Sequence, residues 1–175
     1  MNPMTQEMQN EKKISEMSVD EIAKYLGVPI WVVQSLMCHW IEPRPVSGFS
    51  SCIATDEYNE WSPIRVTILN ALPLNAFDRP YDLKIYPVSS TKRLLEFLSN
   101  VPNEYECYIG HPQTVALVNK YLPTLKCVRG NYVHKGTGVM VAFVLKNRMP
   151  QPGDVNVSED DLAGYIIFAM PVLDA

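Results

Sequence analysis

The chain has 175 residues, of which 47% are hydrophobic and 19% are charged, as is usual for a globular protein with one well-cored domain. Its formal net charge of -4 argues against broad non-specific binding of nucleic acids, which normally requires a basic surface. No apolar run is long enough to span a membrane, and residues 1 to 13 lack the apolar centre of a signal peptide. We therefore expect a cytoplasmic protein without a membrane partner.

Two helices are predicted near the N-terminus. Ser18 and Glu21 have the spacing of a capping box, apolar residues follow at helical spacing, and Gly27 is a typical residue to end the helix. A second helix is predicted over residues 29 to 40. Together these helices resemble the start of a helix-turn-helix unit and form a helical appendage that we assign to residues 1 to 45.

DNA binding by this appendage is one of two open interpretations. Residues 29 to 40 contain no Lys or Arg, whereas a helix that reads DNA normally supplies cationic contacts to phosphates and bases. The composition favours a helical hairpin used for packing or oligomerisation, and DNA binding remains the alternative.

A main domain is predicted at residues 64 to 175, after a linker at residues 46 to 63 that includes a possible short strand at residues 49 to 55. Strands alternate with helices, which indicates an α/β fold with a mixed sheet flanked by helices. Strands are expected at 64–70, 81–88, 139–145 and 164–172, a helix at 91–99, and a short helix near 158–161.

Gly110 and His111 form the most informative junction of this domain. A short strand is predicted to run through Gly110, and a helix is predicted to begin near His111, because Pro112 suits a first helical turn and apolar residues follow at helical spacing. The N-terminus of a helix attracts anions, so a phosphate could bind there beside the imidazole. The alternative is a histidine that only caps the helix.

The four cysteines contain no Cys-x-x-Cys pair, so the sequence predicts neither a zinc site nor a disulfide framework. Cys107 and Cys127 are interpreted as small core residues. His39 and His134 have no partner pattern and are interpreted as structural or exposed. No metal or other cofactor is expected.

Residues 65 to 172 resemble the small viral ring nucleases, a type III anti-CRISPR family. The resemblance depends on four landmarks that occur in the same order as in the family. They are Leu69, Asn70 and Ala71 after the first strand; Gly110, His111 and Thr114 at the strand-to-helix junction; Arg129; and Arg148, Met149 and Pro150 after an apolar strand.

The resemblance implies a homodimer that binds a cyclic oligoadenylate second messenger, cyclic tetra-adenylate in the family, in the cytoplasm of the host cell. It also implies cleavage without metal, in which a ribose 2′-hydroxyl attacks the adjacent phosphodiester. His111 would be the general acid, and Arg148 would bind the scissile phosphate. The resemblance and the nearby polar residues give a set of expected ligand-binding residues: Asn70, Asn75, Gly110, Thr114, Arg129 and Gln151.

The sequence departs from the family at three positions. Gln151 stands where the family has Glu, Pro73 where active members have Ser, and Val144 where the family usually has Gln. Loss of the carboxylate would leave His111 less well supported. The resemblance therefore implies a ring nuclease, and these departures leave open a non-catalytic protein that sequesters a cyclic nucleotide.

Overall fold

The computed structural model describes residues 13–37, 65–72, 74–101, 103–128, 132–135, 138–147 and 157–172. The predicted linker and the strand expected at 49–55 lie outside these residues. The described helices are α1 (Val19–Leu26), α2 (Ile30–Met37), α3 (Thr91–Asn100) and α4 (Pro112–Tyr121), and the strands are β1 (Arg65–Leu69), β2 (Tyr81–Pro87), β3 (Glu104–Cys107), β4 (Gly138–Leu145) and β5 (Leu162–Pro171).

The strands form one mixed sheet in the order β2-β5-β4-β1-β3. Strands β4, β1 and β3 run parallel, whereas β5 is antiparallel to both β4 and β2. This arrangement confirms the predicted α/β fold with a mixed sheet. No helix in the described part of the chain is long and apolar enough to cross a membrane.

The helices pack on one face of the sheet. Alternate side chains of the strands, such as Ile68, Phe143 and Ile166, share one buried cluster with apolar residues of all four helices. The second face carries a smaller cluster around Met140 and Ile167, to which no described helix contributes a residue. Leu72 and Phe77 from the connection between β1 and β2, and Tyr132 from the segment before β4, add apolar and aromatic side chains to this second cluster.

The N-terminal helices follow the local signals of the sequence. Ser18 accepts a hydrogen bond from the backbone N–H of Glu21 at 3.2 Å, and Gly27 ends α1 in the left-handed conformation with φ of 71°. Trp31 of α2 packs against Phe168 of the sheet, with 5.0 Å between ring centroids. The two described helices of the predicted appendage therefore share their core with the sheet.

Strand β3 is shorter than predicted. It begins at Glu104 and ends at Cys107 instead of running through Gly110. The reason is its partner: β1 ends at Leu69, and the pairing extends only by the hydrogen bond from Tyr108 N–H to the Ile68 carbonyl at 2.9 Å. The residues from Tyr108 to the start of α4 form a connection without regular structure.

The expectation that no disulfide forms was wrong. Cys107 and Cys127 form a disulfide across a sequence separation of 20 residues, and a parallel bridge joins their backbones. Cys107 is fully buried, as its interpretation as a core residue required. The chain leaving α4 returns beside β3, where the N–H of Val128 donates to the Cys107 carbonyl at 2.8 Å. Only this return brings the two thiols together.

Candidate functional site

The carboxyl ends of three parallel strands define the candidate site. Asn70 follows β1, Lys146 follows β4, and the connection from β3 leads to His111. Because β4, β1 and β3 are parallel neighbours, these residues leave the sheet at the same edge. Open α/β sheets bind their ligands outside the carboxyl ends of the strands, so this edge is where a ligand is expected.

His111 is the N-cap residue of α4. Its backbone is extended (φ −88°, ψ 113°), Pro112 follows in the first helical turn, and its carbonyl accepts the hydrogen bond from Val115 N–H at 3.0 Å. The first N–H groups of a helix have no intrahelical partner and lie at the positive end of its dipole. The imidazole therefore stands where a phosphate would be attracted.

Thr114 fixes one nitrogen of this imidazole. Its hydroxyl lies 3.1 Å from His111 Nδ1, and Thr114 itself is only 1% exposed. The spacing of three residues places both side chains on one side of the first helical turn. Since Nδ1 is engaged by the hydroxyl, Nε2 is the nitrogen left to meet a ligand on the half-buried ring.

Gly110 lies exposed directly before the imidazole. A β-carbon at this position would meet no atom within 4 Å, so packing does not require glycine here. Its lack of a side chain leaves the backbone beside His111 open to a ligand. Asn70 is half-buried one residue after β1.

Asn75 is placed differently. It is exposed in the 3₁₀ turn Leu74–Ala76, within the loop that leads from β1 to β2. The carbonyl of Ala76 accepts a hydrogen bond from His134 N–H at 2.9 Å, which ties this turn to the chain entering β4. The turn that holds Asn75 is therefore tied to the amino end of β4. The other described site residues lie at the edge of the sheet where the parallel strands end: Asn70, Gly110, His111 and Thr114.

Three expected site residues, Arg129, Arg148 and Gln151, and the departure at Pro73 lie outside the described residues. The nearest described residues to Arg148 are Lys146 and Asn147, which are exposed at the exit of β4. Val144, the third departure from the family, is half-buried on the second face of the sheet. The proposed roles of Arg129, Arg148 and Gln151 therefore stay predictions from the sequence.

An aromatic cluster on the second face was not predicted. His134 is only 4% exposed, Tyr132 hydrogen-bonds its Nδ1, and the rings of Phe77 and Tyr81 lie 5.7 and 5.2 Å from it. Burial raises the pKa of the Tyr132 phenol above its ordinary value. His134 is thus a buried structural residue. No sequence period links these residues, because Phe77 and Tyr81 come from the connection before β2 and the start of that strand, whereas Tyr132 and His134 come from the segment before β4.

The described ranges contain no group of three or more His, Cys, Asp or Glu side chains placed to hold a metal ion.

The acidic run at Glu159, Asp160 and Asp161 forms a 3₁₀ turn, in which the Asp161 carboxylate accepts a hydrogen bond from the backbone N–H of Ser158 at 2.9 Å. This contact holds the pKa of Asp161 below its ordinary value. The run forms the short helix that was expected near residues 158–161.

No protein-family model matches the chain, and no curated protein matches it. Among solved structures, the chain is similar to B116 of Sulfolobus turreted icosahedral virus, with a TM-score of 0.43 and 18% sequence identity. The similarity covers 59% of this chain and 97% of the viral protein.

Proposed function

We propose that the protein is a metal-independent ring nuclease that binds and cleaves a cyclic oligoadenylate, with cyclic tetra-adenylate as the first candidate, and so antagonises type III CRISPR signalling. One observation carries the proposal: His111 caps a ten-residue helix at the carboxyl edge of three parallel strands, and Thr114 holds its Nδ1 at 3.1 Å. A phosphodiester bound at the helix N-terminus would lie beside a nitrogen able to deliver a proton.

The proposed reaction is an internal transesterification. The ribose 2′-hydroxyl attacks the adjacent phosphorus and gives up its proton to solvent, and the bond between phosphorus and the 5′-oxygen breaks. His111 gives a proton to the departing 5′-oxygen, so the products are a 2′,3′-cyclic phosphate and a 5′-hydroxyl. Arg148 would bind the non-bridging oxygens with its forked guanidinium, and the free N–H groups at the start of α4 would add stabilisation as negative charge develops.

A homodimer is part of this proposal. A cyclic oligonucleotide presents the same phosphate repeatedly around a ring, and a two-fold axis presents the same side chains twice. We propose that His111 and Arg148 of both protomers face one shared pocket. Sedimentation that gives only monomers at micromolar concentration in the presence of the ring would contradict this arrangement.

The second candidate is a non-catalytic protein that sequesters the cyclic nucleotide. The replacements at positions 151 and 73 favour it, because Gln151 lacks the carboxylate and Pro73 lacks the hydroxyl that active family members have. Binding needs only the anion-attracting helix end and nearby cations, whereas cleavage also needs a correctly oriented acid.

Incubation with radiolabelled cyclic tetra-adenylate in EDTA separates these functions, with bound, intact and cleaved ligand resolved afterwards. A ring nuclease yields linear product, a sequestering protein yields bound intact ring, and a protein that neither binds nor cleaves would refute both candidates. The replacement Gln151→Glu should speed cleavage if the missing carboxylate only weakens the support of His111.

Variants of α4 test the assigned roles. His111→Ala should lower the single-turnover rate by ~10²–10⁴, the usual contribution of a positioned acid, while ring affinity stays nearly constant. Thr114→Val should lower the rate by about fivefold, because loss of one orienting hydrogen bond is worth about 1 kcal/mol. Lys24→Ala, at an exposed position on α1, serves as the control. Equal rates for His111→Ala and the wild type would exclude the assigned mechanism.

A further inference from the structure

The disulfide between Cys107 and Cys127 closes a covalent loop around the candidate site. The loop holds the irregular connection that follows β3, the N-cap residue His111 and the whole of α4. Thiols in the surroundings can break a disulfide by exchange. The position of His111 therefore depends on a bond whose state follows the redox conditions around the protein.

The disulfide is the covalent part of a clamp between the end of β3 and the chain that returns from α4. The noncovalent contacts of this clamp include the hydrogen bond from Val128 N–H to the Cys107 carbonyl at 2.8 Å and the burial of Leu125. Strand β3 itself is only four residues long. Because local opening becomes easier when fewer contacts must break, loss of the disulfide should loosen the loop more than the centre of the sheet.

The two sulfur atoms of the bridge differ in their access to solvent. Cys107 is fully buried, whereas Cys127 is half-buried. Lys126, the preceding residue, is exposed and carries a positive charge that attracts an anionic thiolate. Exchange begins with attack of a thiolate on a sulfur that it can reach. Cys127 is therefore the sulfur that is attacked, and Cys107 is the leaving group.

We propose that Cys127 is the point of attack for a small-molecule thiol, and that the bridge is a reversible redox switch that orders His111 and α4 when oxidised and loosens them when reduced. The thiolate forms a bond to Cys127 Sγ while the S–S bond breaks, and Cys107 leaves as a thiolate that takes a proton from solvent. A second small thiol attacks the mixed disulfide at its small-molecule sulfur, and Cys127 leaves and is protonated in turn. Two small thiols are thus oxidised to their disulfide, and the protein gains two thiols.

This switch goes beyond the proposed function and does not depend on it. The switch concerns the order of the backbone around His111, which hydrogen exchange measures without any ligand. A protein that fails to bind cyclic tetra-adenylate would refute the proposed function, and the exchange experiment would still decide whether the switch exists.

Hydrogen exchange of the full chain tests the switch, first with the bridge oxidised and then in excess reduced glutathione. The amides of Val115, which donates to the His111 carbonyl, and of Val128 report on the two sides of the loop. On reduction, both should gain about tenfold or more in exchange rate relative to Ile166 and Ile167, which are buried in the interior strand β5. Return to oxidised glutathione should restore slow exchange. An equal gain at all four amides would show a purely global effect and would overturn the proposal.

A matched pair of variants tests the point of attack. Cys107→Ser leaves the thiol of Cys127, and Cys127→Ser leaves the thiol of Cys107. Peptide mass spectrometry should show that oxidised glutathione modifies Cys127 about tenfold faster or more than Cys107, because exchange follows access to the sulfur. Brief alkylation of the reduced wild type compares both thiols in one molecule and should give the same order, so the test does not require the variants to fold. Equal rates, or faster reaction at Cys107, overturn the assignment of Cys127.

Discussion

Reduction of the disulfide between Cys107 and Cys127 should destabilise the protein strongly. The bridge closes a loop with a sequence separation of 20 residues, which holds the end of β3, His111 and all of α4. In the chain-entropy model, a cross-link over a loop of this length contributes about 3 kcal/mol by restricting the unfolded chain. For a protein of this size, such a loss corresponds to a fall in Tm of about 6–12 °C.

Thermal or urea unfolding with and without a non-thiol reductant measures this effect. The double variant Cys107→Ala with Cys127→Ala should be less stable than the oxidised wild type and should not respond to the reductant. Replacement of Cys38 and Cys52 by Ser should leave the response intact, which assigns the effect to the described bridge. An unchanged Tm of the oxidised wild type on reduction, or an equal shift in the double variant, would refute the reasoning.

Two further predictions concern packing and pH. Tyr121→Phe removes the hydrogen bond that the phenol donates to Glu159 at 2.7 Å, which holds the pKa of Glu159 below its ordinary value, so unfolding at pH 7 should become easier by about 1 kcal/mol. A lowered carboxyl pKa stabilises the fold in full above the unfolded value of about 4.3, and this contribution is lost as pH falls through the folded pKa. The difference from wild type in urea unfolding should therefore shrink over that range, and a difference that grows in acid would contradict this. Gly164→Ala would place a β-carbon 2.9 Å from Val88 Cγ2 and 3.1 Å from Leu94 Cδ2, so this overpacking should cost about 1–3 kcal/mol in unfolding free energy, and a neutral result would show that the side chains yield without strain.

Local signals in the sequence were sufficient for most of the secondary structure. Ser18 and Gly27 bound α1 because a capping hydroxyl and a left-handed glycine act within a few residues of the helix end. The α/β fold followed from strands that alternate with helices. The placement of His111 at a helix start also followed from its neighbour, since Pro112 is favoured in the first turn of a helix.

Contacts between distant segments could be decided only by the tertiary structure. The pairing of Cys107 with Cys127, and the burial of His134 among Phe77 and Tyr81, depend on how separate loops return to the sheet. The end of β3 at Cys107 was set by the length of its partner β1, which the residues of β3 themselves do not encode. Periodicity and capping are local properties of the chain, whereas strand order and register depend on partners elsewhere in the chain. For this reason the sequence alone determined where His111 begins a helix, and the strand order decided that Asn70 would leave the sheet at the same edge.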